Sequence, residues 1–433
     1  MGHISNQDPE RVYDRLQQRL DSNLTGAPSS PTFIRILKLL YSPQEAEIAR
    51  HLPTMPISLN ALARRLSMPA EELDEHLTSM AQRGVVVDLS RGEKRYYALP
   101  PVVVGFFEYT FMRAREDLPM AELAELFDRY MTEDDRFARS VFGGQTQVGR
   151  TLVHEEALPQ GDFIEVLDWE RASQVISKAF SVSVSLCSCR HKASYLGKAC
   201  DRAQETCLSL NHGAKTMTRV GAARPITSRQ ALSILETAKQ AGMAQVCDNV
   251  QRRPTFLCNC CGCCCGLIHA IKTFDMRNAI VTSNWIMEVD REKCKGCGKC
   301  VKACPVGAVE LAIEESNGKR RGWAVRDETL CLGCGVCRSV CVDGGVTFQP
   351  RAQRVYTPET VYDRMVAMAI ERGKLADLIF EQPEKLSHRA LKRITQIVEK
   401  SPPFKAAIAI APLRSAFLDR IVRVAKSSGV GNP

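Results

Sequence analysis

The sequence predicts an α+β fold divided among several domains, on three observations. Between Thr32 and Leu99, apolar residues at helical spacing give way to two short runs of β-formers. Cysteines crowd two stretches, 187–207 and 258–265, and two further runs repeat C-x-x-C-x-x-C-x-x-x-C between Cys294 and Cys341. At 433 residues the chain can bury three or four cores, and 45% hydrophobic with 25% charged residues is ordinary for a globular protein. We divide it into a tail over 1–31, a helical and hairpin domain over 32–112 and a mainly helical connector over 113–185. A Cys-rich domain over 186–288, a second Cys domain over 289–350 and a helical basic region over 351–433 follow.

The tail is polar and breaks at Gly26-Ala27-Pro28-Ser29-Ser30, which reads as a short helix and a loose linker. Phe33, Ile36, Leu37 and Leu40 mark a first amphipathic helix, Leu59, Leu62 and Leu66 a second, and Leu73, Leu77 and Met80 a third that closes at Gly84. Val85-Val86-Val87, a turn over Ser90-Arg91-Gly92-Glu93 and the run Arg95 to Leu99 then predict a β-hairpin. That order resembles a winged helix-turn-helix domain, which implies a groove-reading third helix and a phosphate-touching hairpin. The charges argue otherwise. Glu71, Glu72, Asp74 and Glu75 open the third helix, where it would meet polyanion, although Arg91, Lys94 and Arg95 in the hairpin favour DNA. A protein-contact module is therefore expected, with DNA the weaker partner.

From Pro100 to about Ser185 helical patterns alternate with short breaks, such as Phe142-Gly143-Gly144-Gln145. No G-x-G-x-x-G or P-loop occurs, which weighs against a flavin or nicotinamide site.

The cysteine runs are clearest at their C-terminal end. Cys294, Cys297, Cys300 and Cys304, then Cys331, Cys334, Cys337 and Cys341, space four thiolates each for a [4Fe-4S] cluster. Soft, anionic sulfur suits iron, and two-residue gaps let one loop wrap three corners of a cubane. Gly296, Gly298, Gly333 and Gly335 stand where the backbone must turn tightly, and Pro305 follows the first run. Zinc sites usually pair C-x-x-C knuckles across a longer spacer. Val342 stands where the second run would carry proline, and Glu314 to Arg320 reads as an extended hairpin between the cages. From about Val289 to Phe348 the chain resembles bacterial two-cluster ferredoxins, in which the fourth Cys of each run ligates the other cluster. The resemblance assigns Cys294, Cys297, Cys300 and Cys341 to one cluster, and Cys331, Cys334, Cys337 and Cys304 to the second.

Upstream, Cys187, Cys189, Cys200 and Cys207 fit one further cluster, with Arg190 and His191 able to offset its charge; structural zinc is the alternative. Cys258, Cys260, Cys261, Cys263, Cys264 and Cys265 follow, too many for one cubane. Strand alternation predicts Cys258, Cys260 and Cys264 on one side and Cys261, Cys263 and Cys265 on the other. One or two clusters are expected here, not apportioned among the thiols. Cys247 reads as a small buried residue.

After Tyr356-Thr357-Pro358 the chain turns helical, and 15 Lys and Arg against 8 Asp and Glu from Arg351 onward supply most of the net charge of +9. A solvated face, or peripheral docking of that basic region on an acidic partner or anionic lipid, follows. The last element expected is a helix from Phe404 to about Lys426. No run of eighteen apolar residues occurs, and the start lacks the charged and apolar regions of a secretory signal. A cytoplasmic location is expected, where nineteen cysteines serve metal rather than disulfides.

Ser185-Leu186-Cys187-Ser188-Cys189-Arg190-His191, Gly197-Lys198-Ala199-Cys200-Asp201-Arg202, Glu205-Thr206-Cys207-Leu208, the run from Cys258 to Gly266 and the paired C-terminal motifs together resemble 4Fe-4S ferredoxin-domain iron–sulfur proteins of anaerobic bacteria. The resemblance covers about Thr32 to Phe348 and implies electron transfer in an anaerobic host, without naming a reaction. The expected function is relay of single electrons through [4Fe-4S] clusters to or from a redox partner protein. A carrier or oxidoreductase subunit fits better than a stand-alone enzyme. A redox-responsive DNA-binding regulator and an oxidoreductase acting at the Cys-rich site are the alternatives.

Overall fold

A computed structural model describes residues 9–158, 166–316 and 319–380, with 393 and 395. The expected helix from Phe404 to Lys426, and most of the basic region, lie outside the described residues. The chain divides into two compact units, one of Met1–Thr110, Asp117–Thr146 and Val361–Pro433, the other of Phe111–Glu116 and Gln147–Thr360.

In the first unit, polar side chains start the helices. Ser30 accepts the N–H of Phe33 and Pro31 opens helix Pro31–Leu40. Ser42 and Glu45 cap each other's backbone at the start of helix Pro43–Ala49, and Ser58 accepts the N–H of Ala61 to open helix Leu59–Leu66. Helix Pro43–Ala49 is absent from the sequence reading; its seven residues are too few for periodicity to register, although the Ser-Pro-x-Glu start was visible. Helix Ala70–Arg83 leads into β2 (Val87–Arg91) and β3 (Lys94–Ala98), which pair as the predicted hairpin, with β1 (Ile57–Ser58) on the outer edge of β3. Helices Met120–Thr132 and Arg136–Phe142 complete an aromatic core, with the rings of Phe33 and Tyr130 stacked at 4.6 Å and Tyr130 and Phe137 at 4.9 Å.

Two segments pack more tightly than the sequence suggests. Leu24, Thr25 and Ala27 of the expected linker are buried, and Gln17 Nε2 donates to the Ala27 carbonyl at 2.7 Å. The beginning of the C-terminal region, helix Val361–Glu371, belongs to this unit: the Glu371 carboxylate accepts from both the backbone N–H and the hydroxyl of Thr146 at 2.6 Å. Lys374 Nζ reaches the carbonyls of Asp21 and Asn23 at 2.7 Å each.

The second unit is built on a six-stranded antiparallel sheet of β4 (Gly149–Leu152), β5 (Val182–Leu186), β6 (Glu205–Leu210), β7 (Arg224–Ile226), β8 (Ala244–Asp248) and β9 (Phe256–Cys260), in the order β4-β8-β9-β6-β5-β7. The stretch read as a helical connector thus also supplies β4 and most of β5. Alternation sorts the two faces. Leu152, Val182, Val184, Leu208, Leu210, Cys247 and Leu257 form a core with helices Ala172–Ser177 and Ser228–Gln240. Cys247 is fully buried there, as expected. Ser183, Ser185, Cys207, Cys258 and Cys260 alternate with those core residues and so share the opposite face.

Beyond the sheet, β10 (Trp285–Val289) pairs with β13 (Val346–Pro350), while β11 (Val309–Ser316) and β12 (Lys319–Arg326) form the extended hairpin expected between the cysteine runs. This part is tied to the sheet by backbone bonds, Thr151 N–H to Val281 at 2.8 Å and His154 N–H to Cys334 at 2.9 Å. Among the described residues, no helix is long and apolar enough to cross a membrane.

Candidate metal centre

The two downstream runs fold into two cages that exchange their last cysteines. Cys294, Cys297, Cys300 and Cys341 line one cavity of about 350 Å³; Cys304, Cys331, Cys334 and Cys337 line another of about 310 Å³. Short helices Lys299–Ala303 and Val336–Ser339 carry Cys300 and Cys337, and each helix runs directly toward the fourth Cys of its own run, which faces the other cage. Gly335 opens the second of these helices with φ +87°, a conformation that glycine adopts without strain. A Cβ there would also stand 2.9 Å from His154 Cβ.

The donor set fits iron–sulfur clusters. Burial pushes the Cys334 thiol up to about 12 and raises Cys337, Cys304 and Cys300 as well, so these sulfurs would become anionic through the charge of a bound metal rather than through solvent. Backbone N–H groups are aimed at sulfur: Ala308 donates to Cys304 at 3.2 Å and Ala324 to Cys294 at 3.4 Å. The cages differ in exposure. Cys297 is exposed and Lys293, Lys295 and Lys299 line the first cage, whereas Cys331, Cys334 and Cys337 are buried.

Arg351 lies against the enclosed cage, donating through one terminal nitrogen to the Cys331 carbonyl at 2.6 Å and through Nε to Ser283 O at 3.0 Å. Its cation would favour a reduced, more negative cluster held there over an oxidised one. Arg351→Met is therefore expected to move one of two midpoint potentials negative and leave the other in place, checked by potentiometric titration monitored by electron paramagnetic resonance.

The upstream cysteines assemble differently from the sequence expectation. Cys200 is not grouped with Cys187, Cys189 and Cys207. It meets Cys261 at 3.8 Å and Cys264 at 3.8 Å, and Cys264 meets Cys263 at 3.7 Å. Cys247 aside, the other six form a belt: Cys207 neighbours Cys258, Cys258 neighbours Cys260, Cys260 neighbours Cys265 and Cys265 neighbours Cys189, with Cys187 close to Cys258 and Cys265. Strict alternation put Cys264 with Cys258 and Cys260, and Cys265 with Cys261 and Cys263; the two are exchanged. The cause is local: β9 ends at Cys260, and the next residues form a turn in which Cys265 N–H reaches back to the Cys261 carbonyl at 3.4 Å. Cys187 and Cys189 flank the start of helix Ser188–Tyr195, whereas Cys200 lies in the loop beyond its end.

Arg190 is fully buried between these groups. It donates to Thr206 Oγ1 at 3.2 Å, Met243 Sδ at 3.2 Å and Cys261 Sγ at 3.7 Å, and its charge also faces Cys187. A buried guanidinium with sulfur as its neighbour calls for anionic thiolate. Burial pushes Cys187 up to about 12, while at the more open Cys200 burial is overcome by backbone and side-chain donation from Arg202, which holds that thiol at about 6. The sequence marks Arg190 as a charge partner but assigns no such role to Arg202, Met243 or Arg351. Arg202 follows Cys200 by two residues and was visible; the other two come from distant segments.

Residues 293–344 match the family of 4Fe-4S dicluster domains, a span that contains both downstream runs. Comparison with curated proteins and with solved structures finds no match. The chain thus contains a ferredoxin-like domain that binds 4Fe-4S clusters, and a further Cys group capable of holding metal.

Proposed function

We propose that this protein relays single electrons between a redox partner and its Cys-rich region, with the ferredoxin-like domain as the entry or exit point. When bound, [4Fe-4S] clusters supply one-electron chemistry, and the chain's own residues set their order and exposure. The observation that carries the reading is the approach of the two cysteine regions: Gly262, between Cys261 and Cys263, packs on Pro305, so closely that a Cβ would lie 2.7 Å from the Pro305 carbonyl. Pro305 directly follows Cys304 of the enclosed cage. The exposed cage, the enclosed cage and the upstream thiols therefore follow one another in space.

The exposed cage supports a docking face. Val342, beside Cys341, is 82% exposed, and Leu311 and Ile313 of β11 are exposed as well. Lys295, Lys299 and Lys302 are exposed on the first run. A small apolar patch rimmed by lysine suits a transient, acidic electron-transfer partner. Lys295→Glu with Lys299→Glu is expected to slow reduction by an acidic flavodoxin-type donor about tenfold at low ionic strength, converging with wild type at high salt. Stopped-flow rates unchanged in value and salt dependence would rule this face out.

The helices from Pro31 to Arg83 and the β2–β3 hairpin have the order of a winged helix-turn-helix, which favours a second reading as a redox-responsive DNA-binding regulator. We read them instead as a partner-contact module. Arg95 is engaged by Asp74 at 2.7 Å and Asp88 at 2.9 Å, and Glu71, Glu72 and Glu75 are exposed on the helix that would face DNA. Salt-dependent, sequence-specific DNA binding that follows cluster state would reverse that preference. Chemistry on a small substrate at the Cys-rich site is a third reading, marked by a cluster spectrum that shifts with an added small molecule. We place the relay in anaerobic, cytoplasmic metabolism, on the resemblance to iron–sulfur proteins of anaerobic bacteria.

A further inference from the structure

We propose that Cys200, Cys261, Cys263 and Cys264 bind a single tetrahedral metal ion of the zinc class, a centre separate from every iron–sulfur cluster of the chain. The argument begins with spacing. The four sulfurs all lie within 4.8 Å of one another, with three of the separations at 3.7–3.8 Å. Thiolates about 2.3 Å from a common zinc stand about 3.8 Å apart at the corners of a tetrahedron. Thiolates that cap a cubane each hold a different iron and stand roughly 6 Å apart. The same structure supplies the contrast. Among the described residues, no other set of three or more His, Cys, Asp or Glu side chains gathers its ligand atoms this tightly. The two sets of four ferredoxin cysteines line cavities instead, and their sulfurs do not gather in this way.

Charge points the same way as to metal. Zinc with four thiolates carries a net charge of −2, and two guanidinium groups face it: Arg190, fully buried with a nitrogen 3.7 Å from Cys261, and Arg202, bonded to Cys200. Arg202 is itself held by the Ala241 carbonyl at 2.9 Å. The pair neutralises the centre.

The site joins the loop beyond helix Ser188–Tyr195, which carries Cys200 and leads into β6, to the turn after β9, past the end of the β6–β9 pairing. Zinc has no accessible redox change, so this ion carries no electron; it fastens the turn that packs on Pro305 and also carries Cys265, and so leaves the relay to the thiol belt held beside that contact. Of the seven remaining upstream thiols Cys247 lies in the apolar core, so six are left for a cluster.

The test uses full-length protein purified anaerobically with its iron. Metal analysis is expected to give one zinc per chain alongside iron, and zinc-edge X-ray absorption four sulfur neighbours at about 2.3 Å. Cys263→Ser with Cys264→Ser, both at least partly exposed, is expected to lower zinc at least about tenfold while iron content and the reduced-state resonance stay at wild-type values. Cobalt added to zinc-stripped wild type should give the intense visible bands of a tetrahedral thiolate site, absent from the double variant. Wild type without zinc, a zinc shell with fewer than four sulfurs, or a variant that loses about four irons instead of zinc would each overturn the proposal. If the double variant fails to fold, the absorption spectrum of wild type decides. Electron transfer through the ferredoxin-like domain is read from iron and its resonance, so either reading can fail without the other.

Discussion

Cys304→Ala is expected to abolish the enclosed cluster and spare the exposed one, although Cys304 lies four residues after Cys300 and twenty-seven before Cys331 in the chain. The enclosed cage is lined by Cys304, Cys331, Cys334 and Cys337, and the exposed cage is closed by Cys341. The reduced-state resonance of Cys304→Ala should therefore match that of Cys334→Ala and differ from that of Cys297→Ala. Cys341→Ala should show the reverse correspondence. Loss of about four irons per chain in each single variant gives the magnitude. A run-by-run arrangement predicts the opposite pairing of spectra, so the four variants decide between the two. The effect should reach stability as well, because each crossing ligand ties one half of the domain to the other. Both variants are expected to lose their remaining cluster faster than wild type on exposure to chelator.

The second large effect is expected at Gly333. Its φ of +71° is left-handed, and a Cβ there would lie 2.1 Å from the Trp285 carbonyl oxygen and 2.3 Å from Ser283 Oγ. Neither neighbour can withdraw: Ser283 Oγ donates to the Gly333 carbonyl at 2.7 Å, and Ser283 N–H donates to the Leu332 carbonyl at 3.0 Å. Gly333→Ala thus combines a strained backbone, about 1–2 kcal/mol, with a clash against a clamped segment, and roughly 3–5 kcal/mol in total is expected. Gly344→Ala is the control. It has a similar φ of +69° with nothing within 4 Å of a Cβ, so only the backbone part, about 1–2 kcal/mol, should be lost. Denaturant unfolding with cluster absorbance as the probe should rank wild type above Gly344→Ala and that well above Gly333→Ala. Equal losses in the two variants would mean that the loop from Cys331 to Gly335 shifts away from Ser283.

The ferredoxin-like cages were legible because their information is local. Three ligands of each lie within seven residues, so covalent spacing alone brings Cys294, Cys297 and Cys300 onto one loop, and a repeated motif makes chance a poor explanation. The exchange of Cys304 and Cys341 could be assigned from resemblance, and the helices that carry Cys300 and Cys337 toward those residues show its geometry. The hairpin between the cages was equally visible, since every partner in the β11–β12 pairing lies within seventeen residues in sequence, from Val309 with Arg326 to Ser316 with Lys319. Helices with a strong apolar period, such as those ending at Leu40 and Arg83, were legible for the same reason.

What sequence left open is decided by long-range pairing. The central sheet is assembled from strands of three to six residues in which Ser, Thr and Cys interrupt the apolar residues, and runs so short do not stand out. Only once β6 and β9 lie side by side, with Leu208 opposite Leu257, does Cys207 come against Cys258 while Cys247 on β8 turns into the apolar core. A period-2 rule carried through the run from Cys258 to Cys265 failed where β9 stopped, because a turn rotates side chains by its own dihedrals rather than by the pleat. Sequence by itself determined which atoms are available, nineteen thiols and two spaced motifs, since that is a matter of composition and covalent distance. Tertiary structure decided which sulfurs share a centre, because neighbours in space are chosen by strand order, strand ends and the buried Arg190 that the thiols surround.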